Sequence, residues 1–478
     1  MRSETITALA VFLGVAVGLI SLSLFCPARA VGQTAGNNAV YTSSGNCSPS
    51  FPCASSPAFI DASVFVTSPP PISQTFCGVL NYVLVHIVQP TYPFGAVIDA
   101  RGLNSNNTSM TCTSTNPSPW SGITSLPPPS TILLPRTTAS NPIVIPSTWS
   151  LPPNTHLIGE GGSVSSSTTV GTTIQAKSGS FSGSMIQFGW GALCLGPGSS
   201  PICSGMSAED LILDGQGQAI TGILNQYSGD QTYVDHVSLY QIVGTGLSIS
   251  NAATNSGPYS NITFDTGGFS GVSSTICAAI TDAASTHGIH GLSCTSESED
   301  LDAAAAVLLD SSNNSIEDVR ISGFYDGIRV GANANAQSNV LVNIIGDTSY
   351  AGSLTPINIV HIFNVGNTVS DLSIMGANNA GGSPLTVTIQ DDLTGPQLKD
   401  TSVGIYAIGN KGTGDYYSRF TTSPNAATWV VANPTNSSAP SGNCSPGSLY
   451  SNLSASAVNT TFYVCAYNTP ANTWKPIK

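Results

Sequence analysis

Charge is what this chain has least of. Only 8% of its residues are Asp, Glu, Lys or Arg, against about a quarter in an ordinary globular protein. Its 12 basic residues face 25 acidic ones, for a net charge of −13. That balance excludes nucleic acid as a partner, because such binding draws its affinity from Lys and Arg at phosphates. It also weighs against a strongly anionic substrate, unless a local basic patch or a bound cation compensates. Chemical fingerprints are scarce as well. Gly-x-Ser-x-Gly, a phosphate loop and a dinucleotide fingerprint are all absent. No cysteine pair has Cys-x-x-Cys spacing and no His-x-x-x-His stands nearby, so no metal site is expected.

What is abundant is small and polar. The chain has 48 glycines and much Ser, Thr and Asn, while 41% of its residues are hydrophobic. The hydrophobic residues recur with a period instead of being diluted, which excludes a disordered chain. The period is plainest from Asp210 to Ile249. Asp210-Leu-Ile-Leu-Asp214, a gap and Gly222-Ile-Leu224 are followed by His236-Val-Ser-Leu-Tyr240, a gap and Gly246-Leu-Ser-Ile249. The phrase returns after about 25 residues, a spacing that points to stacked rungs of short strands. Further rungs are expected at Asn261–Asp265, Asp318–Ser322, Gly327–Val330, Asn339–Asn343 and Asp371–Met375, with Gly404–Ala407 closing the series. The glycine opening each second strand is expected to allow the turn between sheets. Between Asp265 and Asp310 the pattern lapses, which predicts an enlarged loop with at most one extra rung. Ala303 to Leu309 fits either helix or strand.

The N-terminus carries an apolar run, Ile6 to Phe25, then Ala28-Arg29-Ala30. This reads as a secretory signal cut after Ala30, with an uncleaved membrane anchor as the alternative. A secreted, periplasmic or cell-surface protein is the expectation. Of 11 cysteines, removal of Cys26 with the signal leaves ten. They fall into close pairs, Cys47/Cys53, Cys77/Cys112, Cys194/Cys203, Cys277/Cys294 and Cys444/Cys465, expected as structural disulfides in an exported chain. Cys77 to His86 has apolar residues at helical spacing (Leu80, Val83, Leu84), although Tyr82, Val85 and Ile87 also permit a strand.

After that segment come Ile132-Leu-Leu-Pro135, Ile143-Val-Ile-Pro146 and Thr155-His-Leu-Ile-Gly-Glu-Gly-Gly162. A capping helix followed by these three motifs resembles the opening of the pectin lyase-like superfamily. The resemblance, covering roughly residues 75–410, implies a right-handed parallel β-helix, a fold many of whose members bind or cleave polysaccharides. The expected architecture is therefore an all-β solenoid with an N-terminal capping helix and a small C-terminal β unit pinned by a disulfide. Residues 1–30 would be signal, 31–74 an irregular arm, 75–410 the coil and 411–478 the C-terminal cap.

Stacked rungs bring equivalent positions about 4.8 Å apart. With Leu211, Val237 and Ile262 facing inward, Asp210, His236 and Asn261 form one outward column; Asp214, Tyr240 and Asp265 form another. Asp214 and Asp265 would then stand about 9.6 Å apart, near the roughly 6.5–9.5 Å that inverting glycosidases leave for a water. One carboxyl would protonate the leaving oxygen while the other activates that water. Tyr240 and His236 would bind the sugar. Against this, Asp at a strand end commonly holds turn backbone. A second candidate is the stretch Asp318 to Arg329, where Arg320 would be the base of a lyase with Tyr325 and Arg329 as substrate-binding partners. The bland alternative is that Arg320 pairs with a nearby acid such as Asp318 or Asp326. His287-Gly-Ile-His290-Gly is similar to the Gly-His-Gly of polygalacturonases, but their accompanying Asn-Thr-Asp, Asp-Asp and Arg-Ile-Lys motifs are missing here. No cofactor is expected, with Ca2+ admitted only under the lyase reading; Asp391-Asp392 alone does not make a calcium loop. Two functions remain open: a hydrolase or lyase acting on a polysaccharide along the coil's outer face, or a non-catalytic glycan-binding or adhesion β-helix. No membrane partner is expected unless the N-terminal segment is retained as an anchor.

Overall fold

The computed structural model describes residues 58–66, 75–105, 108–165, 168–189, 203–250, 256–269, 275–282, 286–296, 305–324, 326–334 and 336–347, with Cys194 and separate strands between Val40 and Ile477. These residues form a parallel β-helix. A long sheet runs from Ala58–Asp61 through Ala96–Asp99, Ser130–Leu133, Thr155–Ile158, Ser207–Gln218, Tyr233–Ile242, Tyr259–Asp265, Gly288–Thr295, Ser315–Ser322 and Val340–Asp347 to Ser402–Ile405. A second sheet takes Trp149–Leu151, Ser184–Phe188, Thr221–Asn225, Thr245–Ile249, Ile276–Ile280, Ala305–Leu309 and Asp326–Val330, ending at Arg419–Phe420. From Ser184 onward the chain alternates between the two, so consecutive strands of one sheet are parallel and one rung apart.

The core follows from strand alternation. Leu211 and Leu213 stack on Val237 and Leu239, then on Ile262 and Phe264, Leu292 and Cys294, and Val319 and Ile321, all buried. The second sheet answers with Ile223, Leu247, Ala278, Val307 and Ile328. Each fully buried side chain of this size contributes about 1.5–3 kcal/mol. A slip of one residue would reverse every one of them, so the register is strongly set.

The long strands are not straight. Asp210, His236, Asn261, Asp318 and Asn343 have φ between 52° and 57°, and Gly291 has φ 70°. Strand register places these residues in one column, each between paired neighbours. The left-handed conformation costs most residues about 1–2 kcal/mol and is tolerated best by Gly, Asn and Asp. The column is thus a bend repeated at every rung, and its side chains bond along the coil. Asn261 Nδ2 donates to Asp235 Oδ1 at 2.8 Å, and Asn343 Nδ2 to Asp318 Oδ1 at 2.6 Å.

The N-terminal end is covered. Phe76–Tyr82 is an α-helix continued by a π-turn over Val83–Val88, so the helical spacing prevails over the strand alternative. Thr75 caps it, its Oγ1 accepting from Gly78 N, and Phe76 stacks on Trp149 of the second sheet with ring centroids 6.4 Å apart. That covers an edge which would otherwise offer unpaired backbone groups. Cys77–Cys112, Cys194–Cys203 and Cys277–Cys294 are disulfides as paired by proximity in the sequence, and Cys465 is also disulfide-bonded. The bridge between Cys277 and Cys294 joins the two sheets across the core. Cys47, Cys53, Cys444 and the N-terminal apolar run lie outside the described residues. A four-stranded sheet, Trp429–Val431, Leu449–Ser451, Phe462–Ala466 and Thr473–Pro476, forms the C-terminal β unit. Among the described residues no helix is long and apolar enough to cross a membrane.

Two expectations need correction. The irregular arm does not extend to residue 74, because Ala58–Asp61 already pairs in parallel with Ala96–Asp99 as part of the long sheet. Within the lapse after Asp265, Ile276–Ile280 and Gly288–Thr295 form the one extra rung expected there, and the open stretch Ala303–Leu309 resolves to strand from Ala305. Finally, Gly246 is not a turn residue. It lies inside a strand, where a Cβ would come within 2.5 Å of the Cys277 carbonyl oxygen and 2.6 Å of the Phe264 ring. Close packing demands that glycine.

The bend column yields a stability test. Asn261→Val combines a β-branched residue with φ 53° and loses the bond to Asp235, so a cost of about 1–2 kcal/mol is expected. Asn261→Gly should cost less, as Gly291 holds the same place one rung on. Urea unfolding midpoints compare the two variants directly.

Candidate functional site

The outer face of the long sheet beyond the bend carries two columns. Ile212, Ser238, Thr263, Ser293 and Arg320 share one register; Asp214, Tyr240, Asp265, Thr295 and Ser322 share the next. An open pocket of about 380 Å³ sits on them, lined by Ser238, Tyr240, Thr263, Asp265, Ser293 and Thr295 among others. Gly162, at the start of the hairpin Gly162–Ser165 and Thr168–Gly171, also lines it and lies directly over Ile212. This hairpin closes the upstream end of the face. Residues after Asp265 form a side wall: a Cβ on Gly267 would meet the Tyr240 ring at 2.7 Å, and Phe269 packs against Gly217. Tyr240 is thereby held under Gly267.

The two carboxylates of this column differ in their surroundings. Asp214 is only 5% exposed. Its Oδ1 accepts from Gln216 N at 3.0 Å, and its Oδ2 accepts from Gln175 Nε2 at 3.0 Å and Gln216 Nε2 at 2.7 Å. Those bonds hold a turn and a neighbouring rung. Asp265 is half-buried and lines the pocket. Its Oδ1 accepts from Gly267 N at 2.7 Å, and its other oxygen has no partner among the described residues. The structure therefore brings Tyr240 and Asp265 together in the pocket, while Asp214 stands in register behind the wall.

The remaining candidates are dispersed. Arg320 is exposed, one rung beyond Ser293 and in the same column, at the downstream end of the pocket. Arg329 lies on the second sheet, with its guanidinium on the buried carboxylate of Asp326, and His361 Nδ1 is 3.5 Å from that carboxylate. The two arginines thus belong to different faces. Asp318 and His236 are bend residues, and His236 Nδ1 sits 2.9 Å from Asp235. Tyr325 lies outside the described residues. Among the described residues, no three His, Cys, Asp or Glu side chains converge as a metal would require.

His287 and His290 part company. His290 is exposed, with Nδ1 3.3 Å from Glu317. His287 is buried, with Nε2 2.6 Å from Asp282 Oδ2 and Nδ1 3.0 Å from Ser256 Oγ. The trio has the types of a nucleophilic triad, but each member is at most 5% exposed. It continues inward instead. Ser256 Oγ is 2.8 Å from the Tyr259 hydroxyl, to which Asn225 Nδ2 also donates at 2.8 Å. This network satisfies polar groups within the core. Their odd spacing carries this difference, because residues three apart along an extended chain point to opposite sides.

Comparison with known proteins assigns no family to the chain. No family profile matches the sequence, and no curated protein matches it. Solved structures do. The mannuronan C-5 epimerase AlgE4 A-module of Azotobacter vinelandii is 14% identical, with TM-score 0.29, over 74% of this chain and 100% of that one. DFA-IIIase of Arthrobacter chlorophenolicus A6, in complex with GF2, is 11% identical, with TM-score 0.36, over 79% and 94%. The enzymatically active domain of bacteriophage CBA120 tailspike protein 2 is 11% identical, with TM-score 0.31, over 57% and 47%. At these scores the likeness carries no argument, and the parallel β-helix rests on the strand pairing described above. At this level no residue of the present chain inherits a role from them.

Burial drives the Tyr259 hydroxyl from 10.0 up to about 12, against the opposing bonds from Asn225 and Ser256. A folded value above the unfolded one means that this contribution to stability is complete below pH 10. It is lost as pH climbs from 10 to about 12. Urea midpoints of the wild type should therefore fall more steeply across that window than those of Tyr259→Phe. Parallel slopes would show that Tyr259 ionises normally.

Proposed function

We propose that this chain is a polysaccharide-active protein that takes a glycan along the outer face of the long sheet, across Tyr240 and Asp265. The observation that carries the reading is the pocket itself. It presents an aromatic ring, a half-buried carboxylate with one oxygen unpartnered among the described residues, and hydroxyls from Ser238, Thr263, Ser293 and Thr295 at successive rungs. Aromatic rings suit sugar faces, and a row of hydroxyls suits their many O–H groups. The face continues past the pocket to Arg320, so its shape suits a chain more than a compact molecule.

In this reading Asp265 is the proton-transferring carboxylate. Asp214 would position the wall instead of transferring a proton, because its hydrogen bonds tie it to Gln175 and Gln216. A hydrolase then requires a second acid contributed by the substrate side or by a loop. A lyase would use Arg320, the cation at the end of the same face, with Ca2+ as the admitted cofactor. Export to the cell exterior accords with the apolar N-terminus and with the disulfides. The engagement of Asp214 also favours a second reading, in which the pocket binds glycan without cleaving it.

Mass spectrometry of products from a panel of plant and microbial polysaccharides separates these outcomes. Products carrying added water mark a hydrolase; unsaturated ends mark a lyase. In either case Asp265→Asn should lower the rate at least about 100-fold, whereas Asp214→Asn should act chiefly on stability. Retained binding without cleavage, weakened by Tyr240→Ala, would support the binding reading. Neither cleavage nor binding across the panel would refute both.

A further inference from the structure

A second polar constellation lies upstream of the left-handed bend, on the strand of Tyr240 and the two strands before it in the long sheet. His156, Ser207 and Tyr233 share one register across three adjacent strands, with Thr131 flanking His156 and Glu209 two residues beyond Ser207. Ser207 Oγ donates to Glu209 Oε1 at 2.5 Å, and the Tyr233 hydroxyl donates to the same oxygen at 2.8 Å. His156 Nδ1 is 2.7 Å from Ser207 Oγ, and the His156 and Tyr233 rings lean together with centroids 6.4 Å apart. Ser207 is fully buried; the other three are partly open to solvent.

The donors and acceptors fix the histidine tautomer. An ionised carboxylate only accepts, so Ser207 and Tyr233 each spend their single proton on Glu209. Ser207 Oγ then accepts the Nδ1–H of His156. A neutral ring in that state leaves its lone pair on Nε2, which has no partner among the described residues. Burial lowers the His156 pKa from 6.5, outweighing the opposing pull of Glu209, so the neutral ring prevails at pH 7. Around it, Glu209 and Asp235 supply negative charge, and burial together with Glu209 raises the Tyr233 pKa. An anionic ligand is disfavoured there.

We infer that His156, Ser207, Glu209 and Tyr233 form a second ligand site, which takes a neutral hydroxyl-bearing sugar unit with its O–H on His156 Nε2 and its face beside the Tyr233 ring. The choice of ligand class rests on the glycan reading of the Tyr240–Asp265 pocket; the geometry of the site does not. Ser207 and Glu209 are positioning residues, since they act through the imidazole. The two sites share the Tyr233–Ile242 strand, on opposite sides of its bend at His236.

Long-range 1H–15N correlation spectra of protein labelled on its 6 histidines test this, with His156 assigned from His156→Gln. At pH 7.5 the His156 ring should show the Nδ1–H tautomer, and Ser207→Ala should abolish that preference. Titration with cellohexaose, xylohexaose and mannohexaose at millimolar concentration should shift His156 Nε2 for at least one of them, both in the wild type and in Tyr240→Ala/Asp265→Asn. A shift in the wild type alone would mean that the effect is transmitted from the pocket; the second site would fall while the pocket reading stood. An Nε2–H tautomer, or no shift with any of the three, would also overturn the inference.

Discussion

The structure depends on the registered stacking of one rung upon the next, pinned by a left-handed residue at the same place in successive rungs. Inward Leu, Val, Ile and Phe side chains supply the driving force and forbid a slip of one residue, but a slip of two would keep them inward. The bend column forbids that as well. Gly, Asn and Asp accept its backbone angle cheaply, and Asn261 and Asn343 add hydrogen bonds to carboxylates one rung back. Position along a strand therefore becomes position in space.

From that constraint the two polar regions follow. Downstream of the bend, Ser238, Thr263 and Ser293 align beside Tyr240 and Asp265 because their strands cannot slip. Upstream, the same rule brings His156, Ser207 and Tyr233 together. The difference between Asp214 and Asp265 shows how neighbours decide chemistry. They occupy equivalent places two rungs apart, yet glutamines surround one and an open pocket the other. Negative charge is spread thinly over the coil, so a lone carboxylate stands out where it is not engaged.

Much of this was legible in the sequence. The 25-residue phrase located the rungs, and aligning Leu211, Val237 and Ile262 placed Asp214, Tyr240 and Asp265 in the column that the structure forms. The described disulfides followed from proximity. What could not be read was the environment of each side chain. Gln175 reaches Asp214 from a strand 39 residues earlier, and the Gly162 hairpin covers Ile212, neither of which has a periodic signal. Arg320 and Arg329 are close in sequence but lie on different sheets, because a turn separates their strands. The upstream cluster is hidden for a simpler reason. The apolar repeat is plainest from the bend onward, and the same register three residues further back sets Ser207 beside Tyr233.

The central claim is that glycan lies on the face carrying Tyr240 and Asp265. A crystal structure of the protein soaked with a bound oligosaccharide tests it most directly. The account predicts sugar density over the Tyr240 ring, with hydroxyls within hydrogen-bonding distance of Asp265 and of Thr263 or Ser293. Sugar bound elsewhere, with this pocket holding only water, would contradict it.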